Sequence, residues 1–419
     1  ILERLSEYCA FEASQEKALA LHPTDDLEEA RRLQAETGEA FALLSVAPDT
    51  TIGGARDVRL YAEAADRNVV LEPHQLLDIK YTLIAARSLR RDFEKREEEY
   101  PNLSEIALRL PPPLGLVDTI SQTLSENGDV LDSASVRLGN LRRDMRIVHE
   151  RLLSKLQRMV SDPNISKYLQ ENLVTQRDGR YVIPLRADFK GKIKAVVHDQ
   201  SSSGATIFVE PLSVVDQNNE YRELQLEERD EVRRVLAELS RTVGDHKDVL
   251  ISMVDVLAEL DLAFARASYA EDLEAIMPVL TPIKIDPEVR RPGIVVRLIQ
   301  ARHPLLDPET VVPIDVELDE QTYALVITGP NTGGKTVTLK TVGLMVLMAQ
   351  SGLHIPVQAG SELSLFYNVY ADIGDEQSIE QSLSTFSGHI TNIIRILEQA
   401  DRRSLVILDE FGAGTDPQE

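Results

Sequence analysis

The sequence predicts a multidomain, mainly α chain, a helical core and long lever helices with a small β tip, followed by an α/β P-loop domain. Three observations predict it. Apolar residues recur at helical spacing through most of the first 278 positions. The period switches to two within about 171–210, and a glycine-rich loop follows an apolar, β-branched run at 323–328. At 419 residues the chain has room for about three domains. They are expected at 1–128 (helical core), 129–278 (lever helices and tip) and 279–419 (α/β).

Leu2, Leu5 and Cys9 open a helical stripe. Thr24 stands before Asp25, Asp26 and Leu27 as an N-cap would, and Leu27, Ala30, Leu33, Ala40, Phe41 and Leu44 continue at 3.6-residue spacing. Residues 48–54 read as a loop, and Pro101 and the prolines at 111–113 break later helices. After the turn SENGD (125–129), Asp132 or Ser133 is expected to cap a helix running to about Gln170, roughly 57 Å at 1.5 Å per residue, with Pro163 kinking it. Leu141, Met145, Val148, Leu152, Leu156 and Met159 approach a heptad seam along it. Short strands are expected at 180–186, 193–198 and 205–210, with a turn at 201–204. A returning helix to about Val243 puts Val232, Val235, Leu239 and Val243 on one face. In the last third, 323–328 and 404–408 read as buried strands of a parallel sheet, and 335–350 as a helix stopped by Gly352.

Composition narrows the function. The net charge is −24, which argues against general coating of nucleic acid and confines any such contact to a local basic region. From 137 to 198, however, fourteen cations face six acids. Arg142, Arg143 and Arg146 on the helix, and Lys190, Lys192 and Lys194 beside the tip, are the candidate backbone contacts for nucleic acid. The alternative is a solvated face whose arginines pair with the acidic 223–231 stretch of the returning helix. Trp is absent and aromatics are 5%, so stacking platforms for single strands are expected to be scarce. One cysteine excludes an intramolecular disulfide framework, and a cytoplasmic setting is expected. No apolar run approaches a membrane span, so no membrane partner is expected.

Residues 329–336 read GPNTGGKT, the G-x-x-x-x-G-K-[ST] pattern between a predicted strand and a predicted helix. Gly329, Gly333 and Gly334 let backbone amides curl around phosphate oxygens, Pro330, Asn331 and Thr332 complete the loop, and the helix N-terminus adds partial positive charge. Lys335 would reach the β- and γ-phosphates and Thr336 would ligate Mg²⁺. The strand LVILDE (405–410) ends in two acids, Asp409 for the metal and Glu410 as the general base for water, 74 residues after Lys335 in the case of Asp409. No Asn-Lys-x-Asp occurs, so ATP or ADP is expected rather than a guanine nucleotide. His303 is expected to be structural.

These motifs resemble a known family. GPNTGGKT, LVILDE followed by FGAGTDP (411–417), and SLSTFSGH (382–389) are similar to the MutS ATPase, and more closely to the type-2 bacterial MutS proteins. Residues 179–219, with HDQSSSGATIFVEP and the pair Asn218–Asn219, resemble that subfamily. The resemblance implies an ATPase domain of ABC/MutS type in a homodimer with composite sites, where Ser384 and Thr385 face the partner's γ-phosphate. Ser387 could cap the helix through Ile393 and Ile396; an ordinary cap without a contact across the dimer is the alternative. By the same likeness Asn331 would touch nucleotide and 312–315 would border the adenine. Asp375 and Glu376 read as a solvated loop.

As cargo the resemblance implies branched or double-stranded DNA, with suppression of homologous recombination, or rRNA on stalled collided ribosomes, with ATP-driven subunit splitting. Mismatch reading is not expected, because Phe11-Glu12-Ala13 and Phe93-Glu94-Lys95 have the wrong order for a Phe-x-Glu wedge. The family continues past the position of Glu419 with more ATPase sheet, a histidine switch and a small MutS-related nuclease domain. The 419 residues alone are therefore expected to be a poor ATPase and no nuclease. Two other readings remain at this point: a non-hydrolysing coiled-coil dimer with structural nucleotide, and a chromosome-tethering ATPase, whose coiled coils would be much longer.

Overall fold

The computed structural model describes residues 1–284, 293–319, 321–322, 324–329, 333–373 and 382–409, with only the backbone path over 382–389. Among the described residues the elements run α1 (Leu2–Glu7), α2 (Glu12–Leu19), α3 (Leu27–Val46), α4 (Arg59–Asp66), α5 (Pro73–Glu94), α6 (Pro101–Leu108), α7 (Leu116–Thr123), α8 (Val136–Ser161) and α9 (Pro163–Ser166). Then come β1 (Thr175–Arg177), β2 (Arg180–Arg186), β3 (Ala195–Gln200), β4 (Thr206–Pro211), α10 (Val215–Gly244) and α11 (Lys247–Asp272). The chain continues through β5 (Val279–Thr281), β6 (Val296–Ala301), β7 (Ile314–Leu318), α12 (Lys335–Gln350), β8 (Glu362–Ser364), β9 (Asn368–Asp372), α13 (Ser382–Gln399) and β10 (Ser404–Leu408). Two compact units result, one of 1–57, 81–112 and 251–419, the other of 58–80 and 113–250.

In the first unit, helices cover two small sheets. One sheet has the order β5-β8-β6-β7, with β5 and β8 parallel and the other pairs antiparallel; β9 and β10 form a separate parallel pair. Leu5, Ala30, Leu262, Val296, Met345, Ile355 and Leu363 share one core. Phe11 and Phe93 are buried, as structural residues would be. The N-cap of α3 is Asp26 rather than Thr24: its carboxylate accepts the Glu28 and Glu29 amides, and Thr24 sits two residues too early, donating instead to Glu29. Helix α12 has the bounds its periodicity predicts, and Gly352 follows it at φ +77°, where a side chain would enter the space of the buried Arg266 guanidinium.

Three expectations fail here. Strand β10 is parallel as expected, but of its residues only Ile407 is buried and Val406 is exposed. Residues 324–328 form no strand, and Leu325, Val326 and Ile327 are exposed, with Val326 at 82%. A buried parallel strand needs a hydrogen-bonded neighbour, and among the described residues neither sheet supplies one. Helix α13 begins at Ser382, so Ser387 lies inside it and does not cap it.

In the second unit α8 and α10 pack side by side and antiparallel, with Leu141, Val148, Leu152 and Leu156 buried along the seam and Val160 in place of Met159. The cap is Ser135, whose hydroxyl accepts the Leu138 amide, not Asp132 or Ser133. The helix stops at Ser161, because Asp162 accepts the Asn164 amide and Pro163 starts a new turn. At 26 residues α8 is therefore about 39 Å long rather than the expected span to Gln170.

The tip sheet is antiparallel in the order β1-β2-β4-β3, and its inner face packs Ile183, Leu185, Ile207 and Val209 on Leu152 and Leu156. Strand β2 matches its predicted bounds, while β3 and β4 lie one or two residues later than expected. Strand β1 is short and polar, without apolar alternation to announce it. It joins β2 through Asp178–Gly179, both at positive φ (+47° and +76°), a two-residue hairpin turn.

Candidate functional site

The described residues of the predicted phosphate loop, Gly329 and 333–336, lie at the start of α12. Gly334 is its N-cap in the left-handed region, φ +78°, and Gly329 has φ +147°. Both conformations suit glycine and leave the first amides of α12 facing outward. Lys335, the first helical residue, donates from Nζ to the Gly329 carbonyl at 2.7 Å. Thr336 Oγ1 donates to Asp409 Oδ2 at 2.5 Å, so two residues 73 positions apart meet at the positive end of a helix. Pro330, Asn331, Thr332, Glu410, Asp375 and Glu376 lie outside the described residues, and Ser384 and Thr385 are placed only as backbone in the first turns of α13.

Strand β10 carries Asp409 to this point. It runs parallel to β9 with Leu408 opposite Asp372, and the Asp409 amide donates to the Asp372 carbonyl at 2.9 Å. Gly343 of α12 lies over Ile407, where an added Cβ would come within 2.9 Å of Cδ1. Sequence reasoning missed two neighbours. Asp372 is buried at the end of β9, and Asn392 of α13 donates to its Oδ1 at 2.9 Å. Asp372 repeats the pattern that singled out Asp409, an acid closing an apolar strand, and that pattern could have found it. His303 accepts the Leu305 amide, and burial with nearby Lys340 holds its pKa below the usual value.

In the second unit the candidate arginines divide. Arg142 donates to Glu228, to Asp132 and to the Val130 carbonyl, and Arg146 pairs with Asp132 at 3.5 Å. Arg143 is exposed, 3.7 Å from Asp144. Lys190, Lys192 and Lys194 are exposed and hold no ion pair among the described residues. The stretch that includes His198, Glu210 and Asn218–Asn219 forms a brace around the buried Glu210 and Asn218: Glu210 accepts from Arg180 at 2.8 Å and lies 2.6 Å from His198 Nε2. Arg180 also donates to Asn219, and Asn218 bonds both backbone groups of Tyr181, tying the tip to the root of α10.

Among the described residues no helix is long and apolar enough to cross a membrane, and no group of three metal-ligating side chains occurs.

Residues 325–419 match the family model of MutS domain V. The chain is 44% identical over 422 residues to the "Endonuclease MutS2" of Geobacillus sp. (strain WCH70), covering all of this chain and 53% of that protein. It is 48% identical over 423 residues to the "Endonuclease MutS2" of Thermomicrobium roseum, with 53% of that protein covered. The corresponding figures for the "Endonuclease MutS2" of Pelotomaculum thermopropionicum are 45% over 419 residues and 52%. The chain thus spans about half the length of the curated relatives it matches. With domain V at one end and this similarity along all of its length, the chain resembles a MutS2-type MutS paralogue over about half of that protein's length.

Proposed function

We propose that the chain is the ATP-binding and ATP-hydrolysing portion of a homodimeric nucleic-acid clamp of the MutS2 kind. The contact of Thr336 Oγ1 with Asp409 Oδ2 at 2.5 Å carries this reading. Two hard oxygen donors at one helix N-terminus are the set a magnesium ion takes, so Thr336 and Asp409 fit as its holders. When bound, that ion would offset charge on the β- and γ-phosphate oxygens. Lys335 exchanges the Gly329 carbonyl for a phosphate oxygen, and the outward amides of α12 accept the rest of the anion. Glu410 follows Asp409 directly and orients the attacking water as general base. Ser384 acts from the partner subunit, at the start of α13.

ATP binding closes the dimer because it favours the closed state over the open one. The tip, with Lys190, Lys192 and Lys194, grips phosphate backbone, and Arg143 extends that contact. The cargo is branched or double-stranded DNA, in suppression of recombination, or rRNA on collided ribosomes, in subunit splitting; mismatch reading is not part of it. The relatives carry the name endonuclease, and we assign any such activity to chain outside these 419 residues. In the full-length protein Lys335→Ala should abolish nucleotide binding measured by calorimetry. Glu410→Gln should retain ATP, lose at least about a hundredfold in turnover and accumulate closed dimer. Unchanged hydrolysis in Glu410→Gln removes its role, and absence of heat with wild-type protein, magnesium and ATP removes the reading as a whole. Cosedimentation of the trapped dimer with ribosomes or with DNA decides the cargo.

A further inference from the structure

We propose that the corner of the tip where Tyr168 and Phe189 meet is a stacking platform for an unstacked nucleobase. The proposal rests on the tip as a nucleic-acid contact and names what that contact reads. The two rings lie with centroids 5.1 Å apart at 54°, each half-buried over the tip core. The Lys167 ammonium sits 5.0 Å from the centroid of Tyr168. The Arg186 amide donates to the Tyr168 carbonyl at 3.0 Å, which brings β2 to the ring. Phe189 closes a short 3-10 turn, Ala187–Phe189, from which Lys190 and Lys192 depart; their amides bond the Ala187 and Phe189 carbonyls.

Several arginines of the unit are held by acids, whereas the cations at this corner stand exposed beside the two rings. Arg137, Arg142, Arg146, Arg177 and Arg180 are committed to Glu227, Glu228, Asp132, Asp199 and Glu210. Lys167, Arg186, Lys190 and Lys192 are exposed and form no ion pair among the described residues, although the acids Asp188 and Glu171 lie close in sequence. Half-exposed rings beside exposed cations supply a π face for a base and charge for its flanking phosphates. A base must leave its stack to use such a face, so forks, flaps and loops are preferred over continuous duplex.

The test uses the full-length protein with three probes: a forked DNA with a short unpaired flap, a blunt duplex of equal length, and an RNA copy of the fork. Wild type should prefer the forks. Phe189→Leu keeps an apolar roof and should lower the fork-to-duplex affinity ratio about fivefold or more. Tyr168→Leu is a second route to the same readout should Phe189→Leu unfold, which circular dichroism reports. Lys190→Gln with Lys192→Gln should weaken all probes, leave the ratio intact and reduce the log-affinity against log-salt slope by about two. Loss on both forks points to the base itself; loss on one alone points to its sugar, and either supports the platform. An unchanged ratio in both ring variants overturns the platform even where the lysine variant weakens binding. If the lysine variant also binds like wild type, the tip contact falls with it.

Discussion

His354 is buried beside the Arg266 guanidinium. Burial, with that charge adding, pushes its pKa down to about 4 against a hydrogen bond to the Gln34 backbone that opposes the shift. Arg266 is itself buried and paired with Glu36, which also binds Arg32. An unfolded histidine takes its proton near 6.5, so the folded state binds fewer protons between that value and about 4. The histidine's contribution is therefore complete above about pH 6.5 and is lost as pH falls toward 4, by roughly 3 kcal/mol in all. Urea unfolding of wild type and His354→Gln at pH 7 and pH 4.5 checks this: the variant should show the flatter dependence. Single residues differed in how readable they were. Lys335, Thr336 and Asp409 stand out because phosphate chemistry fixes both residue type and spacing. Asn392 does not, since its partner Asp372 lies 20 positions away and only the azimuth of α13 brings them together. Thr24 and Asp26 compete for one cap, and the structure selects the one whose carboxylate reaches two amides.

At the scale of elements, the contact of α12 with β10 at Gly343 sets how far Thr336 stands from Asp409. Gly343→Val would place methyl groups where Ile407 Cδ1 already sits. Overpacking of this kind costs about 1–3 kcal/mol. We expect nucleotide binding with magnesium to weaken more than binding without it, and Ile407→Ala to restore part of the difference; calorimetry with and without magnesium measures both. The bounds of α12 and β2 were readable because apolar period and glycine agree there, and those of β10 because charged residues flank its apolar run. The length of α8 was misread because Asp162 caps a new turn as well as it continues an old one, and the following Pro163 is at home at a first helical position. The Asp178–Gly179 turn was a legible signal left unused, and it would have announced β1 despite that strand's polarity. The run 323–328 misled for the opposite reason: its residues suit a buried strand, but pairing depends on neighbours that its own composition does not specify.

For the molecule as a whole, charge counted along the chain and charge available in space are different quantities. Residues 137–198 hold fourteen cations and six acids, yet acids from α10 and from Asp132 neutralise much of the shaft. Glu227→Gln together with Glu228→Gln should release Arg137 and one side of Arg142. Duplex affinity is expected to rise and the salt slope to steepen by up to about two, as a titration over several salt concentrations would register. The exposed Leu325–Ile327 run has an outcome of its own. Three consecutive apolar side chains on a segment that no strand pairs among the described residues are adhesive toward any extended peptide, including another copy of themselves. In a concentrated preparation of these 419 residues, cloudiness growing with protein concentration should start from this short segment.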